Sequence, residues 1–256
     1  MFRPCIDLHE GKVKQIVGGT LGAEAAGGLR TNFVSDRSAG WFAQLYQMSG
    51  LRGGHVIMLG PGNEVAGQEA LNAYPGGLQI GGGINAENAQ SWLDAGASHV
   101  IVTSWVFREG RVDRTRLAEL VQRIGKERLV LDLSCRKRDG HYFVVTDRWK
   151  NFTDTTLSAG TLKDLAQSCA EFLVHAVDVE GLCVGVDMGL VEKLADWSPI
   201  AVTYAGGARS IEDMESVELA GKGRVDLTIG SALDIFGGKG VRYVDAVAFN
   251  RRKGQT

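Results

Sequence analysis

Two aspartates close short apolar runs 125 positions apart, Asp7 in CIDL and Asp132 in VLDL. A carboxylate at the end of a buried run is costly unless something satisfies it. Each has two readings, a cap for local loop amides or a proton carrier. Taken as a matched pair, the proton-carrier reading is favoured. Two carboxylates in unlike surroundings can have their pKa values pushed apart, leaving one as acid and one as base.

A second set of residues has a different chemistry. Gly82 and Gly83 in QIGGGIN follow an apolar run, and Thr103 and Ser104 close the next one. Exposed glycine amides, a helix start and a hydroxyl together make an anion pocket suited to phosphate. The pattern recurs as Gly206 and Gly207 in YAGGARS, then Gly230 and Ser231 in IGSALDIF. A single GG pair also serves plain turns, so the case rests on the recurrence. Two such pockets with the aspartates between them imply a substrate with a phosphate at each end.

The spacing shows what must position these groups. Asp7 to Asp132, Gly82 to Gly206 and Ser104 to Ser231 are 125, 124 and 127 positions apart. A repeat of that length signals two duplicated units. Apolar runs at 3–8, 54–59, 77–80, 99–103, 128–133, 172–178, 200–205 and 225–229 read as buried parallel strands. Amphipathic stretches at 38–49, 86–95, 113–124 and 187–197 read as helices, with Asn85, Asp113, Asp187 and Ser210 as N-caps. Eight strand–helix units in 256 residues predict one α/β domain, a (β/α)8 TIM barrel built from two repeated half-barrels. Strands one and five oppose each other in such a ring, so Asp7 and Asp132 should face across its mouth, where this fold places active sites.

Composition excludes several classes. A net charge of −2 gives no electrostatic case for nucleic acid or an anionic membrane. No apolar run reaches the 18 residues a membrane helix needs, and no leader is expected ahead of the first strand. The four cysteines form no CxxC and no zinc-type cluster with histidine, so neither metal nor disulfide is expected, and the cytoplasm is the default location. Glycine, at 35 residues, is roughly double its usual ~7% share. It falls at strand ends and turns; only 22–28 reads as a flexible loop.

In order along the chain, CIDLHEGKVKQIVGGT, QIGGGIN, VIVTSW, VLDLSCRKRDG, VHAVDVEGL, YAGGARS and IGSALDIFGG resemble a known family over essentially the whole length. It is the phosphoribosylformimino-5-aminoimidazole carboxamide ribotide isomerase family of histidine biosynthesis, in its eukaryote-type branch. The resemblance implies a cofactor-free Amadori rearrangement of a bis-phosphorylated aminoaldose to an aminoketose. It implies that Asp132 is the acid that opens the ribose ring and that Asp7 removes the C2 proton. It also implies that Trp149 stacks on the imidazole of the substrate, that Ser134 and Arg136 touch substrate, and that Gly18, Gly19 and Thr20 form a closing loop.

One segment departs from the bacterial pattern. The threonine that contacts a catalytic carboxylate after the sixth strand is missing from VHAVDVEG; Asp178 is retained, and His175 is a candidate for the lost hydrogen bond. His55 and His99 begin strands and are expected at the stability face. Two other functions fit the same residues: the sister cyclase-synthase, a lyase, with Lys12 and Lys14 as its lysines, and a non-catalytic phosphate-ligand-binding barrel. A monomer is expected, because the repeat already completes the barrel.

Overall fold

The computed structural model describes residues 1–17, 20, 30–147 and 149–253. Gly19, Gly18 and the 22–28 stretch lie outside the described residues. All eight expected strands are present: Phe2–Arg3 with Cys5–His9, then Gly54–Met58, Leu78–Gly81, Val100–Val102, Leu129–Asp132, Glu171–His175, Ala201–Ala205 and Val225–Thr228. Each pairs in parallel with its sequence neighbour. The ring closes through the first strand, which Pro4 splits in two because proline cannot donate to the ladder. Phe2 and Arg3 pair with Leu227 and Thr228 of the eighth strand, while Cys5 pairs with His55 of the second. The fifth strand is therefore four neighbours from the first in either direction.

Strand sequences without polar alternation follow from this closure. In LVLD and EFLVH every residue is buried, since helices cover one face and the barrel interior the other. The flanking helices are α1 Ala39–Met48, α2 Glu64–Ala73, α3 Ala89–Asp94, α4 Arg114–Ile124, α5 Ala159–Leu165, α6 Met188–Trp197, α7 Ile211–Ala220 and α8 Tyr243–Lys253. Asp113, Asp187 and Ser210 cap α4, α6 and α7 through their side chains. Asn85 differs: it accepts from the Glu87 and Asn88 amides, so it caps the turn that leads into α3.

The barrel interior is layered. At its base Arg3 pairs with Asp226 at 2.7 Å, and Glu171 takes hydrogen bonds from Gln79 at 2.8 Å and Thr203 at 2.7 Å. Above it Ile57, Ile101, Val130 and Leu173, from four strands, pack together as an apolar floor. Asp7, Asp132 and His175 lie above the floor. Two β-excursions, not expected from the sequence, rise around them: a hairpin of Lys12–Ile16 with Thr31–Val34, and a three-stranded meander of Cys135–Arg138, His141–Thr146 and Asn151–Thr156. They follow the first and fifth strands, the two that carry the aspartates.

Candidate active site

Strand alternation aims Asp7 inward, because Cys5, Asp7 and His9 share one face of the first strand. The amide of Gln15, on the hairpin strand that folds back over it, donates to Asp7 Oδ2 at 3.3 Å. Burial raises the Asp7 carboxyl to about 7; the Glu180 carboxylate adds to this, while His175 and the Gln15 bond oppose it.

Asp132 has the opposite surroundings. Its Oδ1 accepts from the Ser134 amide at 2.8 Å and from Ser134 Oγ at 2.7 Å. Its Oδ2 accepts from Thr103 Oγ1 at 3.2 Å. His175 Nδ1 stands 3.6 Å from Oδ1 and 3.3 Å from Ser134 Oγ. Burial alone would raise this carboxyl, but His175 and Ser134 outweigh it and hold it below its usual value. The partner responds in the matching sense. Burial works to neutralise His175, yet Asp132, Glu180 and Asp7 together raise it to about 9. Asp132 and His175 are thus a buried ion pair at neutral pH, and Asp7 is poised between its two forms.

Two cavities open from this centre. The larger, about 490 Å³, is lined by Gly82, Gly83, Asn85, Thr103, Ser104, Asp147 and Trp149. The smaller, about 30 Å³, is lined by Gln15, Gly206, Gly207, Thr228, Gly230 and Ser231. Asp7, His175 and Glu180 line both. The two glycine-built pockets expected from the sequence therefore flank one set of titratable groups. Glycine is required in each. Gly82, at φ +96°, would put a Cβ 2.1 Å from the Met58 carbonyl oxygen, and Gly207, at φ +77°, one 2.1 Å from that of Gly185.

Three other expected site residues, Ser134, Arg136 and Asp178, line neither cavity. Ser134 is fully buried behind Asp132 and contacts that carboxylate. Arg136 and Asp178 line neither cavity; they pair with each other at 2.8 Å on the outer side of the loop, where Asp178 also accepts from the Lys137 amide. Trp149, at φ +63°, brings its ring to 5.9 Å from the His175 ring.

Three contributors escaped the sequence reading. Glu180, two residues beyond Asp178, reaches the centre because residues 177–180 turn and break strand alternation. Gln15 gave no signal in KVKQI. His55, expected at the stability face, shares its inward parity with Ile57 and lines the smaller cavity. Its ring lies 5.8 Å from that of His175, and burial holds it neutral, down to about 3.

Residues 1–239 match the model of the histidine biosynthesis protein family. The chain belongs to this family. Among its relatives, a chloroplastic protein of Medicago truncatula is 56% identical over 98% of this chain and 82% of its own length. Proteins of Neurospora crassa and Saccharomyces cerevisiae are 52% and 48% identical over 98% and 99% of this chain, and over 99% of their own lengths. Each is named a 1-(5-phosphoribosyl)-5-((5-phosphoribosylamino)methylideneamino) imidazole-4-carboxamide isomerase. These names favour the isomerase reading over the lyase and over a binding-only barrel. Within this histidine biosynthesis family the fold is a TIM barrel, as the closed ring shows here. No helix among the described residues is long and apolar enough to cross a membrane.

Proposed function

We propose that the chain catalyses the aldose–ketose isomerisation for which its relatives are named, an Amadori rearrangement of a bis-phosphorylated aminoaldose. One observation carries the reading: two glycine-built pockets flank a single centre in which Asp7 faces the Asp132–His175 pair. The reaction moves protons and needs a base, an acid and a grip on both ends of the substrate.

Phosphate at one end would take the amides around Gly82 and Gly83 with Ser104; phosphate at the other would take Gly206, Gly207, Gly230 and Ser231. Trp149, beside the larger cavity, is placed to stack on the planar imidazole. Asp7, with a pKa about 7, is matched to proton abstraction near neutrality. The acid belongs to the Asp132 side. That the barrel closes within one chain and carries every group named supports a monomer as the working unit.

The test is turnover of the aminoaldose by purified protein, followed by the absorbance change on ring opening. Wild type is expected to convert it, and Asp7→Asn to lose about 10²- to 10⁴-fold in kcat. A wild type that binds both phosphates yet yields no ketose would overturn the proposal.

A further inference from the structure

Among the described residues, Thr228 Oγ1 is the one buried side-chain polar atom without a hydrogen-bond partner. Thr228 shares the inward face of the eighth strand with Asp226. It is 5% exposed and lines the smaller cavity. Valine has the same shape and would leave no hydroxyl to satisfy, so an orphan here points to a partner that is not protein. His55 gives a second, independent sign. It is 3% exposed and lines the same cavity, and no hydrogen bond among the described residues reaches its ring. A neutral imidazole brings one donor and one acceptor, both of which need partners when buried.

The two side chains form the inner end of that cavity. Thr228 stands two residues before Gly230 and pairs with Arg3, and His55 pairs with Cys5. Gln15 crosses on the mouth side of them. Its Nε2 donates to Asp7 Oδ2 at 3.3 Å, and a Cβ on Gly230 would stand 2.2 Å from its Oε1. The glycines and Ser231 that would grip phosphate lie at the mouth, so bound substrate covers the inner end without filling it. The whole cavity is about 30 Å³. A water needs roughly 10–15 Å³ of such space and at least two polar partners. Thr228, His55 and Asp7 supply them, since no hydrogen bond among the described residues reaches Asp7 Oδ1.

We propose that the inner end of the smaller cavity is a water site, where Thr228 Oγ1 and the His55 ring hold about two waters, and that these waters exchange the proton Asp7 takes from C2 of the substrate. The inference rests on the isomerase reading and deepens it. A carboxyl group carries one proton. Alone, Asp7 would return to C1 the hydrogen it took from C2; beside these waters, it returns one drawn from a shared pool.

The proton balance closes. The acid on the Asp132 side protonates the ring oxygen as the C1–O bond breaks, and the amino nitrogen's lone pair forms C1=N. Asp7 takes the C2 proton; the C–H electrons form C1=C2, and the C=N electrons return to nitrogen. The Asp7 carboxyl proton then trades places with a water proton, with no net transfer. The C2 hydroxyl returns its proton to the Asp132 side as C2=O forms, and C1 takes the proton held by Asp7.

The experiment follows deuterium from C2 of the aminoaldose into the first product formed, by mass spectrometry. With two waters sharing four protons, wild type should keep roughly one label in five at C1, or fewer. Thr228→Ser keeps the hydroxyl and should match wild type. Thr228→Val removes it and should raise the retained label about threefold or more. Retained label is a fraction of the product made, so a poorly folding variant still gives the reading. A crystal structure of the wild type reads the site without turnover and should show water within about 3.2 Å of Thr228 Oγ1. No water there, retention of most label by wild type, or undiminished loss of label in Thr228→Val would each overturn the proposal. Absence of wild-type turnover would instead remove the isomerase reading, while the crystal structure still decides the water site.

Discussion

Asp7 should make the protein less stable in the pH range where it works. Its carboxyl rises from 3.8 to about 7 on folding, chiefly through burial, with Glu180 adding to it. A group with a raised folded pKa contributes stability that is present in full below the unfolded value. That contribution is lost as pH rises through the folded one, here between about 4 and 7. Roughly three units at ~1.36 kcal/mol each give a ceiling near ~4 kcal/mol. Relaxation and water entry should bring the real figure to about half of that. Asp7→Asn keeps the shape and can still accept the Gln15 hydrogen bond, but it has no charge to bury. Urea unfolding of wild type and variant at pH 5 and pH 8 measures the difference. The variant should be more stable at pH 8 by on the order of 2 kcal/mol, with a smaller margin at pH 5, while its turnover collapses. An advantage that does not grow with pH would refute the burial argument for Asp7.

Three further perturbations follow. Ser104→Ala removes a hydroxyl from the larger cavity and should raise KM and weaken inhibition by inorganic phosphate about tenfold or more, as expected for a hydrogen bond to a charged group; steady-state kinetics with and without phosphate reads both. Gly82→Ala would set a methyl 2.1 Å from the Met58 carbonyl oxygen at a positive φ, so thermal unfolding should show a loss of several kcal/mol with the larger pocket distorted. Leu173→Ala opens the apolar floor, where the side chain is 1% exposed, and should cost about 2–5 kcal/mol in urea unfolding. Since that floor carries the mouth, kcat should fall with it.

The barrel was legible in the sequence because its constraints are local and repeated. Apolar runs without alternation require strands covered on both faces, and eight of them at this length leave few other closures. Asp7 and Asp132 could be read because each ends such a run. The glycine pockets could be read because Gly82 and Gly206 stand where a side chain would strike a backbone carbonyl, Met58 in one case and Ala176 in the other.

What only the tertiary structure decided is how each aspartate is used. Nothing in VLDL or VHAVDVEG states that Asp132 will meet Ser134, Thr103 and His175, because those contacts join strands four, five and six. Arg136 and Asp178 are as polar as Glu180, and only the turn at 177–180 sends Glu180 inward and leaves the other two paired outside. His55 reached the site through its register with Cys5, a property of the closed ring. Sequence fixes which groups are costly to bury, since that is a property of the residue. Which form each group adopts depends on the field of its neighbours, and those neighbours are assembled only when the barrel closes.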